Sequence, residues 1–172
     1  MFLEEIKVIE TMPCLAEKHL FKAITMASVS LAEILPYLNA IVDKPNYQPS
    51  SNSLTFKEGN SGFTLQGHNI NITKFANMTE LYELLDWVKD LINDAYESRG
   101  EIEPNHKARK IVPVFRIHGL LPKTNCGECG EGGCMAFAAK LNGFEAEIED
   151  CPPLQRGEYA ALKAKLMAEM EL

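Results

Sequence analysis

The sequence predicts an α+β protein: N-terminal helices and a small antiparallel β-meander covered by an amphipathic helix, followed by a small, mostly helical, cysteine-rich domain. Three patterns lead there. Apolar residues recur at intervals of three and four near the start, from 81 to 95 and at the end. Short alternating segments lie between the first two of these stretches, separated by turn residues. Four of the five cysteines fall between positions 126 and 151.

Residues 1–42 carry a ladder of Leu20, Ile24, Ala27 and Leu31, continued by Ile34, Leu35 and Leu38, which reads as helix. Pro36 lacks an amide hydrogen and is expected to kink or restart it. The stretch DKPNYQPSSNS, 43–53, is crowded with Pro, Ser and Asn and reads as a loop. Leu54 to Lys57, Phe63 to Gln66 and Ile70 to Lys74 then form three strands, joined through EGNSG and Gly67-His68-Asn69. Asn77 or Thr79 caps the next helix, with Glu80 in its first turn. Leu81, Leu84, Leu85, Val88, Leu91, Ile92 and Ala95 line one face of that helix to about Ser98, and this face is expected to cover the sheet.

The polar stretch 99–110, with Pro104, suits a linker, giving an N-terminal domain over 1–110 and a second over 111–172. Pro113 opens a short helix to about Leu121, which Pro122 ends. A helix over Met135 to Leu141 follows the third clustered cysteine. The C-terminal helix places Tyr159, Leu162, Leu166 and Met170 near one face.

A length of 172 residues with 46% apolar content supports a packed core. The formal charge of −7 disfavours nucleic acid, whose binding depends on neutralising phosphates. MFLEEIKVIE lacks the basic and apolar regions of a signal peptide, and no run of 18 apolar residues offers a membrane span, so a cytoplasmic protein is expected. In that compartment the cysteines point to metal binding or catalysis rather than disulfides.

Cys126, Cys129, Cys134 and Cys151 are spaced C-x2-C-x4-C-x16-C. Four thiolates suffice for one 4Fe-4S cluster, one on each iron. Gly127, Gly130, Gly132 and Gly133 let the backbone curl and turn amides toward anionic sulfurs. The N-terminus of the helix after Cys134 offers further positive potential. Pro152 follows the last ligand as a proline does in the bacterial ferredoxin run, although the ferredoxin spacing itself is absent. A structural zinc site is the competing reading, but zinc modules usually bring two C-x2-C knuckles, whereas here three cysteines share one Gly-rich loop.

The segment 121–154, through LPKTNCGECG, GCMAFAAKL and CPPL, resembles the 4Fe-4S domain of the corrinoid iron-sulfur protein large subunit and of the B subunit of Rnf-type ion-translocating ferredoxin oxidoreductases. The resemblance implies that Cys126, Cys129, Cys134 and Cys151 are the four cluster ligands and that the cluster passes electrons. It also implies an anaerobic setting and a redox partner, such as a corrinoid protein or a ferredoxin-linked enzyme. The corrinoid-binding domain of the one relative and the membrane anchor and extra cysteines of the other have no counterpart here.

Other candidates read as structural. Cys14 is expected in the core. His19, His68, His106 and His118 form no ligand pair, and His118 is assigned to packing or surface rather than to tuning the cysteine region. Glu145, Glu147, Glu149 and Asp150 read as a solvated face in preference to a docking patch. Trp87 is expected in the core. No phosphate loop, dinucleotide fingerprint or C-x3-C-x2-C triplet appears, so the sequence predicts an electron-transfer protein without substrate chemistry of its own.

Overall fold

A half-buried sheet needs side chains that alternate inward and outward, and the first 27 residues supply that alternation in a form that helical spacing masks. In the computed structural model, which describes all residues except 15, 16, 18, 111, 144, 171 and 172, Ile6–Pro13 and Phe21–Ala27 are strands β1 and β2 rather than the helices expected there. Ala23, Thr25 and Ala27 point inward, while Ile24 and Met26 lie exposed on the other face. The ladder through Leu20, Ile24, Ala27 and Leu31 thus joined residues from opposite faces of a strand. Small inner residues and large outer ones reversed the usual hydrophobic signal. The buried Thr25 hydroxyl is satisfied by donating to the Ile70 carbonyl at 2.7 Å.

Helix begins only at Leu35–Ile41 (α1), where Pro36 occupies the first turn, a position that needs no amide, instead of kinking a longer helix. The expected loop 43–53 contains a short strand, Asn46–Gln48 (β3). Ser53–Glu58 (β4), Ser61–Gln66 (β5) and Asn69–Phe75 (β6) reproduce the expected meander. All pairings are antiparallel in the order β1-β2-β6-β5-β4-β3, so two strands and an edge extend the expected three into a six-stranded sheet. The α+β class is borne out.

Met78–Glu97 (α2) starts at Asn77, whose Oδ1 accepts the Glu80 amide at 3.1 Å, while Glu80 Oε2 accepts the Ala76 amide at 2.7 Å. Asn77 thus satisfies a helix donor that has no intrahelical partner, while Glu80 reaches back to the amide just before the cap. Leu81, Leu85, Val88 and Ile92 join Phe63, Leu65, Ile70 and Ile72 in one core. Trp87 packs there too, its ring 5.2 Å from Phe63. Replacing Asn77 by Ala should cost about 1 kcal/mol, visible as an earlier denaturant midpoint by Trp87 fluorescence. An unchanged midpoint would show that Glu80 alone holds this end.

The chain divides into two compact units, Met1–Arg109 and Lys110–Leu172. The end of the expected linker is strapped to the first unit, with the Asn105 amide donating to Pro36 O at 2.9 Å and the Arg109 amide to Tyr47 O at 3.1 Å. In the second unit, Val114–Gly119 (α3), Cys134–Asn142 (α4) and Ala160–Met170 (α5) are linked by loops and single-turn 3-10 segments. Ile117, Leu121, Phe137, Leu141, Leu154 and Leu166 form its core, which Met170 joins from α5 and against which Tyr159 and Leu162 pack. Among the described residues, no helix is long and apolar enough to cross a membrane.

Candidate metal centre

Helix α4 starts at Cys134 because Gly133, with φ 154° and ψ 171°, holds a backbone conformation open essentially to glycine alone. Upstream, Gly127 and Gly130 have φ of 73° and 79°, and the Gly130 amide closes a tight turn on Gly127 O at 2.9 Å. This curl brings Cys126 and Cys129 back toward the start of α4. The fourth cysteine arrives by a different route. After α4, a single 3-10 turn over Ile148–Asp150 ends at Cys151, and the Pro152–Gln155 turn fixes the chain beyond it. Glu147 and Asp150 cap the first of these turns reciprocally, so half of the acidic run has a local structural role.

The structure places Cys126, Cys129, Cys134 and Cys151 on the wall of one recess, which Phe137 and Pro153 help to close. Their depth is graded. Cys126 is exposed, Cys129 and Cys134 are half-buried, and Cys151 is only 5% exposed. Burial pushes the Cys151 thiol above its ordinary range. The Leu154 backbone amide opposes this, and the three neighbouring thiols add to it as like charges. A thiol so placed keeps its proton until a cation displaces it.

Soft sulfur donors suit iron-sulfur clusters and zinc, and glycines around three of them leave room for backbone amides to face anionic sulfur. The donor set therefore fits a metal-sulfur group. Among the described residues, no group of three or more His, Cys, Asp or Glu is arranged to hold a single metal ion. The four thiols share a recess without closing on one point.

Neighbouring side chains brace the ligand loop. The Arg156 guanidinium donates to both Glu128 oxygens, at 2.9 and 2.7 Å, tying the residue between the first two cysteines to the chain beyond the fourth. Glu128 in turn holds the Arg156 guanidinium protonated beyond its already high ordinary value. Lys140 on α4 pairs with Glu131 at 2.6 Å, and Lys163 on α5 approaches Glu149 at 3.8 Å. The Asn125 side-chain oxygen accepts the Cys134 amide at 2.9 Å. Neither Asn125 nor the Glu128–Arg156 pair was anticipated. Asn directly before a Gly-rich loop, a residue tolerant of left-handed backbone, was the available signal for the former.

Sequence candidates outside the recess stay outside it. Cys14 is half-buried in the first unit, its amide donating to Leu20 O at 2.8 Å. His118 lies half-buried on α3 and does not line the recess.

Comparison with known proteins falls on the same segment. Residues 121–153 match the family described as "Putative Fe-S cluster". The chain is 48% identical over 52 residues to the acetyl-CoA decarbonylase/synthase complex subunit gamma of Methanothermobacter thermautotrophicus, covering 30% of this chain and 11% of that one. It is 45% identical over 58 residues to the corresponding subunit of Methanocaldococcus jannaschii (34% and 12%), and 58% identical over 43 residues to that of Methanopyrus kandleri (25% and 9%). The likeness thus spans about a tenth of these curated relatives. No solved structure matches.

The iron-sulfur family match falls on the segment that holds the four clustered cysteines. One expectation is corrected. The sequence predicts an electron-transfer protein without substrate chemistry of its own, yet the relatives that match over this segment are subunits of an enzyme complex. Lack of a catalytic motif in one chain is no guide when the chemistry belongs to an assembly.

Proposed function

We propose that Cys126, Cys129, Cys134 and Cys151 hold one 4Fe-4S cluster and that the chain serves as the redox component of an anaerobic enzyme complex. The observation that carries this reading is the convergence of all four thiols on one recess within the stretch that matches the iron-sulfur family. When bound, such a cluster supplies one-electron exchange at a potential set by charge, hydrogen bonds to sulfur and solvent exposure. The buried Cys151 anchors the site in the core, and the exposed Cys126 leaves one side open to a partner.

Within this reading, residues 111–172 are the cluster domain and residues 1–110 a separate α+β domain. Likeness to subunits of a complex supports a protein partner. The earlier resemblance favours a corrinoid protein or a ferredoxin-linked enzyme in that place.

Anaerobic purification with iron, sulfide and zinc analysis tests the cofactor, with about four iron and four sulfide per chain expected. A colourless protein carrying one zinc and no sulfide would replace the reading with a structural zinc module for protein interaction. Pull-down from an anaerobic host under reducing conditions tests the role, and repeated recovery of no redox protein would count against it.

A further inference from the structure

Asn125 precedes the first clustered cysteine, yet its side chain reaches the third. Its backbone takes φ 49°, a left-handed conformation that Asn tolerates better than most residues. From there Oδ1 accepts the Cys134 amide at 2.9 Å. That amide belongs to the first residue of α4, and no side chain at the helix's own capping position satisfies a donor, because that residue is Gly133. A cap borrowed from nine positions upstream has taken over the task. The close fit is itself enforced: a β-carbon at Gly133 would stand 3.0 Å from Asn125 Oδ1, closer than a comfortable contact. Asn125 and Gly133 therefore form one device, a left-handed acceptor on one side and a bare backbone on the other.

We propose that Asn125 is a positioning residue for the cluster, setting the distance and orientation of Cys126 relative to Cys134. This rests on the cluster reading above. The loop between the two cysteines holds four glycines, Gly127, Gly130, Gly132 and Gly133, so its backbone has little intrinsic preference to fix that spacing. One hydrogen bond from the residue adjoining Cys126 to the amide of Cys134 closes the loop at its ends. It also occupies the Cys134 amide, keeping that donor from sulfur and so holding the potential down.

The test uses the full chain reconstituted anaerobically with ferrous iron and sulfide, comparing wild type with Asn125→Gly and Asn125→Asp. Glycine suits the left-handed backbone, so Asn125→Gly removes the acceptor without adding strain. Asp keeps the acceptor. Iron release to a chelator should be about five- to tenfold faster in Asn125→Gly, the loss of roughly one hydrogen bond, and return toward wild type in Asn125→Asp. The reduction potential of Asn125→Gly, followed by EPR-monitored titration, should rise as the freed amide becomes available to sulfur. Iron release and potential both unchanged in Asn125→Gly would overturn the assignment and leave the cluster reading standing. A wild-type chain that takes up no sulfide overturns the cluster reading itself.

Discussion

Cys151→Ser is expected to lower iron and sulfide per chain by about tenfold or more, since even changes beside a ligand set commonly weaken a metal site by roughly 10- to 100-fold. Cys151 is the most buried of the four thiols and belongs to the core of its unit as well as to the recess. Serine is a poor ligand for iron and places a hydroxyl in a site that is 5% exposed, where the sulfur had been part of the apolar core. Both effects act in one direction. Cys14→Ser is the control, because Cys14 lies in the other unit, and its iron content should match wild type. A visible spectrum unchanged in Cys151→Ser would mean that the ligand set is wrong.

What the sequence disclosed and what it hid follow from how much chemistry each residue carries by itself. A thiolate can do few things, so four cysteines at close spacing among glycines mark a site without any knowledge of the fold. The structure then places them on one recess. The Asn125 contact depends on a left-handed φ at one position and a missing side chain eight residues on. Neither is a property of composition or periodicity.

The same contrast runs through the fold. The face of α2 repeats large apolar residues at helical spacing and ends in a recognisable cap, so it was legible to within a residue. On β2 the buried side is Ala23, Thr25 and Ala27, and the exposed side carries Ile24 and Met26. Here tertiary pairing with β1 and β6 decides the strand, against a local pattern that favours helix. The correction concerning enzymes has a related cause: motifs report chemistry held within one chain, whereas the relatives that match here are single subunits of a larger complex.

Phe137→Ala should destabilise the second unit by about 3–5 kcal/mol, the usual cost of removing a buried aromatic ring. Phe137 is 2% exposed and has two tasks. It belongs to the core cluster with Ile117, Leu141 and Leu154, and it also lines the recess with the four cysteines. A cavity here would both weaken the core and let water reach the buried thiol. In a unit of this size each kcal/mol lowers the melting temperature by about 4–8 °C, so the cluster-free Phe137→Ala unit is expected to melt roughly 12–40 °C below cluster-free wild type. Bound cluster would offset part of that loss, because a ligand that binds only the folded state stabilises it. Cluster-loaded Phe137→Ala should therefore fold, yet lose its visible absorbance at a lower temperature than wild type. Trp87 is the chain's one tryptophan and belongs to the first unit, so its fluorescence transition separates this local failure from a general one. If that transition moved as far as the absorbance loss, the defect would not be confined to the core around Phe137. If neither moved, Phe137 would be a lining residue without a structural task, and the recess would owe its shape to the glycine loop alone.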